Sequence, residues 1–367
     1  MIKLNHSFYS GLGGHTAVFW AQQKYAQENG YSIYATLYGI EFPLESTLKG
    51  LDKKQIPSSF LLKRGRWDLF HPIRVALQIK NVNPDIIFIH GSYAILPIYL
   101  LCSAFKKTKI IIRETQAITL KTTIDKIRSL FGLFLSNHIV FLSEEYRADY
   151  FGFKADFLLK KTSVIPNGLD LEQFRPASTK GDHDFIIGMQ SRLVPIKDYN
   201  TLILAISKLN KLGYKNVKLQ IAGDGSMRPS IEQYVKELDI QNQVTLLGLL
   251  DAADLPAYLN GLHVYVHSSL GETMSNSIMQ AQSCGLPIVA TNVFGINNVI
   301  KNCENGFLFT LGNVDELVDI LIKLINNPGL RNEMGMVSRT YAVNFLSDKI
   351  MAEKYYSLFN MFCIKSS

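Results

Sequence analysis

The chain has 367 residues, 47% of them hydrophobic and 19% charged, enough apolar material for two cores and too much for a disordered or purely polar protein. No apolar run reaches the roughly 18–20 residues needed to cross a bilayer, the opening MIKLNH lacks the apolar core of a signal peptide, and four scattered cysteines without metal-ligand spacing favour a reducing, cytoplasmic compartment and no zinc. The net charge of +7 is uneven: residues 1–178 hold 22 Lys and Arg against 14 Asp and Glu, the remainder 16 against 17.

The basic excess sits in Lys53-Lys54, Lys63-Arg64-x-Arg66, Lys106-Lys107-x-Lys109 and Lys160-Lys161. No aromatics interleave with these clusters and no nucleic-acid motif is visible, which speaks against nucleic acid. An anionic membrane surface or a phosphorylated acceptor fits better, with ordinary solvated lysines as the alternative.

Residues 2–5 read as a first strand. A glycine loop follows (Gly11-Leu12-Gly13-Gly14-His15), then an amphipathic helix over 16–28 and a second strand over 31–37. The glycines let backbone amides approach a ligand, but the spacing is not the dinucleotide fingerprint. Residues 39–84 yield only the basic patch at 63–67 and one helix over 72–80. The apolar stretch 94–105 carries Pro97 and suits a buried helix. Continuous apolar runs at 85–90 and 109–113, then 138–143 and 163–166, read as strands of a buried parallel sheet. The first half is therefore a doubly wound α/β domain. Such sheets bind ligands at the carboxyl ends of strands, which puts Gly13, Gly14, His90, Gly91, Arg113 and Glu114 on one rim. Residues 126–136, KIRSLFGLFLS, mix a basic start with Phe and Leu on several faces. A core helix, with Gly132 at a close contact, is the expectation; a segment dipping into a membrane interface is the alternative.

Residues 176–184, PASTKGDHD, form the expected linker. Strands then follow at 185–189, 217–222, 244–248, 262–268 and 288–291, alternating with helices over 198–211, 228–238, 252–260, 275–284 and 314–326. The strand at 217–222 runs into Gly223-Asp224-Gly225. The last helix, 348–360, carries the rows Ile350/Lys354/Leu358 and Met351/Tyr355/Phe359, a stripe that needs something to cover. The expected domains are 1–177, 178–346 and a closing helical segment 347–367.

Two stretches carry chemistry. Gly271–Pro287, GETMSNSIMQAQSCGLP, places Glu272 just ahead of a helix start rich in small polar residues. Helix N-termini suit phosphates or sugar hydroxyls, and a carboxylate there can accept two hydroxyl hydrogen bonds. Gln280 lies eight residues later. The second stretch flanks a proline-stiffened turn with Arg192 and Lys197. Arg192 can grip a diphosphate bidentately, and Lys197 adds a mobile point charge. His263, Tyr265 and His267 share one strand face, without a third metal ligand in evidence.

The order GLGGH, VIPNGLDLEQF, SRLVPIKD, AGDGSMRPSIE, VTLLGLL, SLGETMSNSIMQAQSCGLPIVAT and NGFLF closely resembles the retaining family-4 glycosyltransferases of the GT-B fold, over about 164–309. The resemblance implies an α/β protein of GT-B architecture. Two Rossmann-like doubly wound domains face across a cleft and the C-terminal helix crosses back onto the first. It also implies a UDP- or GDP-sugar donor, no metal or other cofactor, and a saccharide or lipid-linked acceptor. The reaction it implies is hexosyl transfer with retention, expected in surface polysaccharide or glycolipid assembly, in the cytoplasm or at the cytoplasmic face of a membrane.

Position by position, Gly13 and Gly14 match the loop at the donor phosphates, and Arg192 and Lys197 the diphosphate pair. Glu272 matches the first glutamate of the family's E-x7-E motif, and the amides of Met274, Ser275 and Asn276 the helix start that meets sugar and phosphate. Gly223 is placed with the donor-binding residues. Gln280 stands where the resemblance expects a second glutamate holding the ribose diol; alternatively it closes a capping box with Ser277. The N-terminal histidine that is catalytic in many members has no clear counterpart, and Glu114 is the nearest position. Competing readings keep the fold for a nucleotide-sugar epimerase or a soluble disaccharide synthase, or make the chain a non-catalytic partner subunit.

Overall fold

The computed structural model describes residues 1–10, 14–43, 45–65, 68–104, 107–116, 118, 121–151, 159–177, 184–297 and 299–363. The chain divides into two units, Met1–Gly168 with Asp348–Ser367, and Leu169–Ser347.

The first unit is built on seven parallel strands: β1 (Ile2–Tyr9), β2 (Tyr31–Gly39), β3 (Ser58–Leu62), β4 (Ile86–His90), β5 (Lys109–Arg113), β6 (His138–Phe141) and β7 (Thr162–Val164). Their order is β3-β2-β1-β4-β5-β6-β7. The runs IIFIH and KIIIR of β4 and β5 are covered on both faces, as unbroken β-branched apolar runs require. The helices are α1 (Gly14–Tyr25), α2 (Glu45–Lys53), α3 (His71–Val82), α4 (Ile95–Ile98), α5 (Thr123–Leu135) and α6 (Glu144–Phe151), with a π-turn, Tyr99–Ser103, continuing α4. Strand order reverses between β1 and β4, which opens a crevice at their carboxyl ends.

Two expectations change in this unit. The poorly legible stretch 39–84 holds α2, the edge strand β3 and α3. β3 is only half-buried, so its sequence lacks the apolar run that marks β4 and β5. The expected core helix over 126–136 begins earlier, capped by Thr122, whose Oγ1 accepts from the Asp125 N–H at 3.2 Å. It buries only Ser129, Gly132 and Leu133. A Cβ at Gly132 would stand 2.7 Å from Ser92 Oγ, so the narrow buried stripe lies flush against its neighbour. The rest of the helix turns large apolar side chains to solvent.

The C-terminal helix, Asp348–Cys363, packs in the first unit. It buries Met351, Tyr355 and Phe359, together with Ala352, Tyr356 and Leu358, against β1, β2, β4 and α1. Tyr355 meets Phe88 edge-on at 5.1 Å, and Lys24 pairs with Asp348 at 3.1 Å. Of the other row Leu358 is buried, Ile350 half-buried and Lys354 exposed, so the stripe is narrower than its two rows suggest.

The second unit holds six parallel strands: β8 (Phe185–Gln190), β9 (Val217–Ala222), β10 (Val244–Gly248), β11 (Val264–His267), β12 (Ile288–Thr291) and β13 (Gly306–Phe309). Their order is β10-β9-β8-β11-β12-β13, and it reverses between β8 and β11. Its helices are α7 (Tyr199–Lys211), α8 (Arg228–Glu237), α9 (Leu255–Asn260), α10 (Asn276–Ser283), α11 (Val314–Asn326) and α12 (Pro328–Phe345). β13 and α12 escape the sequence reading because one is a short GFLF run that opens on glycine and holds no β-branched residue and the other mixes apolar and polar residues without a clear stripe.

The unit begins at Leu169, ahead of the expected linker, most of which (178–183) lies outside the described residues. Leu169 N–H already donates to Leu346 O at 2.7 Å, and Ala177 N–H to Asn260 Oδ1 at 2.8 Å. Among the described residues, no helix is long and apolar enough to cross a membrane.

Candidate functional site

In the second unit the site forms where the strand order reverses. The loop leaving β8 and the loop leaving β11 are laced together: Asp198 N–H donates to Ser268 O (3.1 Å) and Leu270 N–H to Ile196 O (2.9 Å). Asp198 also caps α7, its Oδ1 accepting from Thr201 N–H at 3.2 Å. The lacing brings Lys197 to Glu272. Their ion pair is largely buried on the Lys197 side and partly open on the Glu272 side, and Lys197 Nζ lies 3.3 Å from His267 Nε2 and 3.4 Å from Ser269 Oγ.

His267 is fully buried, and burial lowers its pKa, so the ring is neutral. Glu272 can only accept, which assigns the proton to Nε2 and makes the 3.0 Å contact with Glu272 Oε1 a donation from His267. Burial by itself would raise the Glu272 pKa. The His267 hydrogen bond and the Lys197 charge outweigh it and hold the carboxyl at about 2. Lys197 is therefore not the mobile charge expected from sequence, because Glu272 and Ser269 Oγ anchor it. Arg192 differs. It is exposed, and its guanidinium makes no hydrogen bond or ion pair among the described residues.

Two glycines set this geometry. Gly295 has φ +80°, and a Cβ there would stand 1.8 Å from Glu272 O. Glu272 N–H donates to Phe294 O at 3.2 Å, so the turn after β12 holds the Glu272 backbone. Sequence reasoning missed this support, since an isolated glycine in a loop carries no signal of its own. Gly223 has φ +141°, and its Cβ would stand 1.9 Å from Ser191 O. Its visible task is close backbone packing against the turn that carries Arg192.

Helix α10 starts at Ser275, whose Oγ accepts from Ile278 N–H at 3.4 Å. That makes Ser275 the cap, and Ser277 with Gln280 do not form the capping box weighed from sequence. Gln280 Oε1 is buried without a partner among the described residues, a condition that a ligand hydroxyl would relieve. Ser275 is buried, while Met274 and Asn276 are half-buried. His263 and His267 do not converge: His263 Nδ1 accepts from Ile186 N–H at 3.0 Å. Among the described residues no group of three His, Cys, Asp or Glu side chains is placed to hold a metal ion.

The first unit has its own cleft, about 300 Å³, at the carboxyl ends of β1, β2, β4 and β5. Tyr38 and Tyr93 stack in it with ring centroids 5.5 Å apart and planes 14° apart. The Arg128 guanidinium lies 5.0 Å over the Tyr93 ring, and His71 Nδ1 is 2.9 Å from Tyr93 Oη. Lys63, Lys121 and Arg128 line it, Lys121 paired with Glu114 and Arg128 with Asp125 of the same lining.

His90, Gly91 and Glu114 of the expected rim line this cleft. Glu114 is nearly fully buried, with one oxygen accepting from Ser92 Oγ at 2.8 Å and the other paired with Lys121. Arg113 lies beneath, buried, donating to His90 Nδ1 at 3.3 Å and to Asn167. Burial, then the adjacent Arg113 charge, hold the His90 pKa well below its usual value. Gly14 opens α1, and Gly13 lies outside the described residues. Lys63 was read only as part of a basic patch, His71 lies in the poorly legible stretch, Arg128 in a helix assigned to the core, and Tyr38 and Tyr93 at positions given no role from sequence.

The two Rossmann-like units, each a parallel sheet with helices, define a GT-B fold. It is similar over 98% of the chain to Anabaena HepE in complex with UDP (all of that chain covered, 17% identity, TM-score 0.80) and over the whole chain to sucrose-phosphate synthase from Thermosynechococcus elongatus (15% identity, TM-score 0.79). At such identities the likeness speaks for the fold alone.

Residues 170–340 match the family model described as glycosyl transferases group 1. Among relatives, the chain is 34% identical over 197 residues to the Escherichia coli UDP-Gal:alpha-D-GlcNAc-diphosphoundecaprenol alpha-1,3-galactosyltransferase, covering 50% of each chain. It is 28% identical over 208 residues to the Staphylococcus aureus capsular polysaccharide biosynthesis glycosyltransferase CapM, covering 54% of each. The chain spans about half the length of the curated relatives it matches. The chain thus has the GT-B fold, and its second unit is similar to the group 1 glycosyl transferases.

Proposed function

We propose that the protein is a retaining glycosyltransferase that moves a hexose from a UDP- or GDP-sugar to a lipid-linked saccharide, without a metal, in assembly of a surface polysaccharide or glycolipid. The observation that carries this is the anchored Lys197–Glu272–His267 network beside an unpaired Arg192, at the reversal point of a Rossmann-like sheet. The group 1 family match covers the same residues.

In this reading Arg192 and Lys197 hold the donor diphosphate and stabilise the charge that develops as it departs. Glu272, kept ionised by its partners, accepts hydrogen bonds from sugar hydroxyls. Gln280 accepts from one ribose hydroxyl and donates to the other. The anomeric carbon–oxygen bond to the diphosphate breaks, the acceptor oxygen bonds on the same face, and the acceptor proton leaves with the diphosphate. No protein nucleophile is required.

The cleft of the first unit serves the acceptor. Its stacked tyrosines suit a sugar ring, and Lys63 and Arg128 suit a phosphate. The printed names of the relatives, with UDP-Gal, diphosphoundecaprenol and capsular polysaccharide among them, favour UDP and a lipid-linked acceptor in such a pathway.

A thermal-shift panel of UDP, GDP, ADP and CDP tests the donor site, since a ligand selective for the native state raises apparent stability. Incubation with the matching nucleotide sugars and isolated lipid-linked saccharides then reads transfer and anomeric configuration. Absence of nucleotide binding, or a product of inverted configuration, overturns the reading.

A further inference from the structure

His71 opens α3 and is fully buried, while Tyr93, ahead of α4, is half-buried, and both line the first-unit cleft. They form a hydrogen-bonded chain whose direction is fixed by its end. His71 Nε2 lies 2.8 Å from Leu61 O of β3, and a carbonyl can only accept, so Nε2 carries the proton. In the neutral ring Nδ1 is then a bare acceptor, and its 2.9 Å contact with Tyr93 Oη is a donation from the tyrosine. Burial raises the Tyr93 pKa, so the phenol keeps that proton to give.

With its proton committed to His71, Tyr93 Oη meets a ligand as a hydrogen-bond acceptor. Its position is fixed as well. The ring stacks on Tyr38 and lies under the Arg128 guanidinium, which Asp125 holds in turn at 3.0 Å. The turn that presents His71 is fastened by Asp68, which accepts from Arg74 at 3.0 and 2.6 Å and from Arg64 N–H at 2.8 Å. Among the described residues no second group bonds Tyr93 Oη. A rigid phenol oxygen of fixed polarity discriminates between ligands: a hydroxyl can donate to it, whereas an ionised carboxylate or phosphate oxygen cannot.

We infer that Tyr93, oriented by His71, is the residue with which this cleft selects a sugar, by accepting a hydrogen bond from one of its hydroxyls. Tyr93 touches the sugar, and His71 is a positioning residue that acts through it. That the sugar belongs to the acceptor rests on the proposed function; recognition of a sugar hydroxyl by Tyr93 does not.

The test is ligand-observed NMR titration of the full chain with the methyl α-glycosides of glucose, galactose and N-acetylglucosamine. At least one should bind, and Tyr93→Phe should weaken it about tenfold, the loss of one well-made hydrogen bond. Fluorine cannot donate. Among the monodeoxyfluoro analogues of that glycoside, one should therefore bind the wild type about tenfold more weakly than its parent, and bind Tyr93→Phe as well as the parent does. His71→Gln keeps an acceptor for Tyr93 and a donor for Leu61 O, and should hold affinity to within about threefold of wild type. His71→Phe should match Tyr93→Phe; should it fail to fold, Tyr93→Phe and the analogues still decide. A thermal shift with UDP, read on the same samples, keeps the two readings apart. No shift in any of them defeats the donor site and leaves the sugar result standing, whereas a normal shift with wild-type sugar binding by Tyr93→Phe defeats the role of Tyr93 alone. Binding of none of the three glycosides, or a parent-to-analogue ratio unaltered by Tyr93→Phe, also overturns the proposal.

Discussion

His267 donates to Glu272 across 3.0 Å from the floor of the second sheet, and the same carboxylate is clasped by Lys197 from the neighbouring loop. A buried neutral ring and an anchored cation thus fix the direction in which Glu272 presents its oxygens. Burial disfavours a carboxylate, and the two partners together outweigh it and keep Glu272 charged.

His267→Phe fills the same volume and removes the donor. A hydrogen bond to a charged group is worth about 1.5–3 kcal/mol, so the melting temperature should fall by several degrees. His267 acts through Glu272, so the KM for nucleotide sugar should rise about tenfold while the Kd for free nucleoside diphosphate stays constant. Equal losses for both ligands would mean that His267 supports the fold alone.

Arg192 and Lys197 should separate in mutagenesis. Arg192→Ala leaves stability unchanged, because the side chain is exposed and unpaired, and lowers turnover about 10²-fold, as removal of one charge-stabilising donor does. A raised KM with intact turnover would remove Arg192 from this role. Lys197→Met leaves Glu272 with one partner, and should destabilise by about 2 kcal/mol, less than a fully dry pair because Glu272 is 23% exposed.

Gly295→Ala adds a Cβ against Glu272 O in a left-handed backbone. It should cost at least about 2 kcal/mol and displace Glu272. Gly329→Ala, where the nearest neighbour is a side-chain oxygen at 3.4 Å, is the neutral control. Chemical denaturation of both variants checks the contrast; equal midpoints would show that the turn can relax.

Gln280→Glu supplies a carboxylate where Oε1 is buried and unpartnered. Nucleoside diphosphate should bind several-fold more tightly at pH 7.5, through charge-assisted bonds to the ribose diol. Isothermal titration reads this, and unchanged affinity would place the ribose elsewhere.

Acid should destabilise the protein from about pH 6.5 downward. Burial holds His6 at about 3 and His138 at about 4, and keeps His90 and His267 below their usual value. A histidine whose folded pKa is depressed contributes stability that is complete above its unfolded pKa. That stability is lost as pH falls, because only the unfolded chain takes the proton. Each contributes about 1.4 kcal/mol per pH unit between its two pKa values. His6→Phe, in a site already flanked edge-on by Phe19 and Phe88, should flatten the slope of denaturation midpoint against pH between 6.5 and 5. An unchanged slope would show that His6 is protonated in the native state.

Much of the second unit was legible in sequence. Its strands are short apolar runs, its helices carry a cap such as Asp198 or Ser275, and the motif residues Arg192, Lys197 and Glu272 sit in loops at strand ends. The first unit was half legible. Continuous burial marks β4 and β5 in the sequence, whereas β3 at the edge and the helices with one wet face do not differ enough from loop or core.

Periodicity, turn chemistry and motif order by themselves determined two doubly wound α/β units and the residues at the candidate-site loops, because these are local properties of the chain. Only tertiary structure decided that Lys197 is anchored and Arg192 free, that Gly295 supports Glu272, and that α5 shows its apolar face to solvent. Each depends on groups far apart in sequence that meet, or fail to meet, when the sheets form. An apolar residue reads the same in a sequence whether its outer side will meet protein or water.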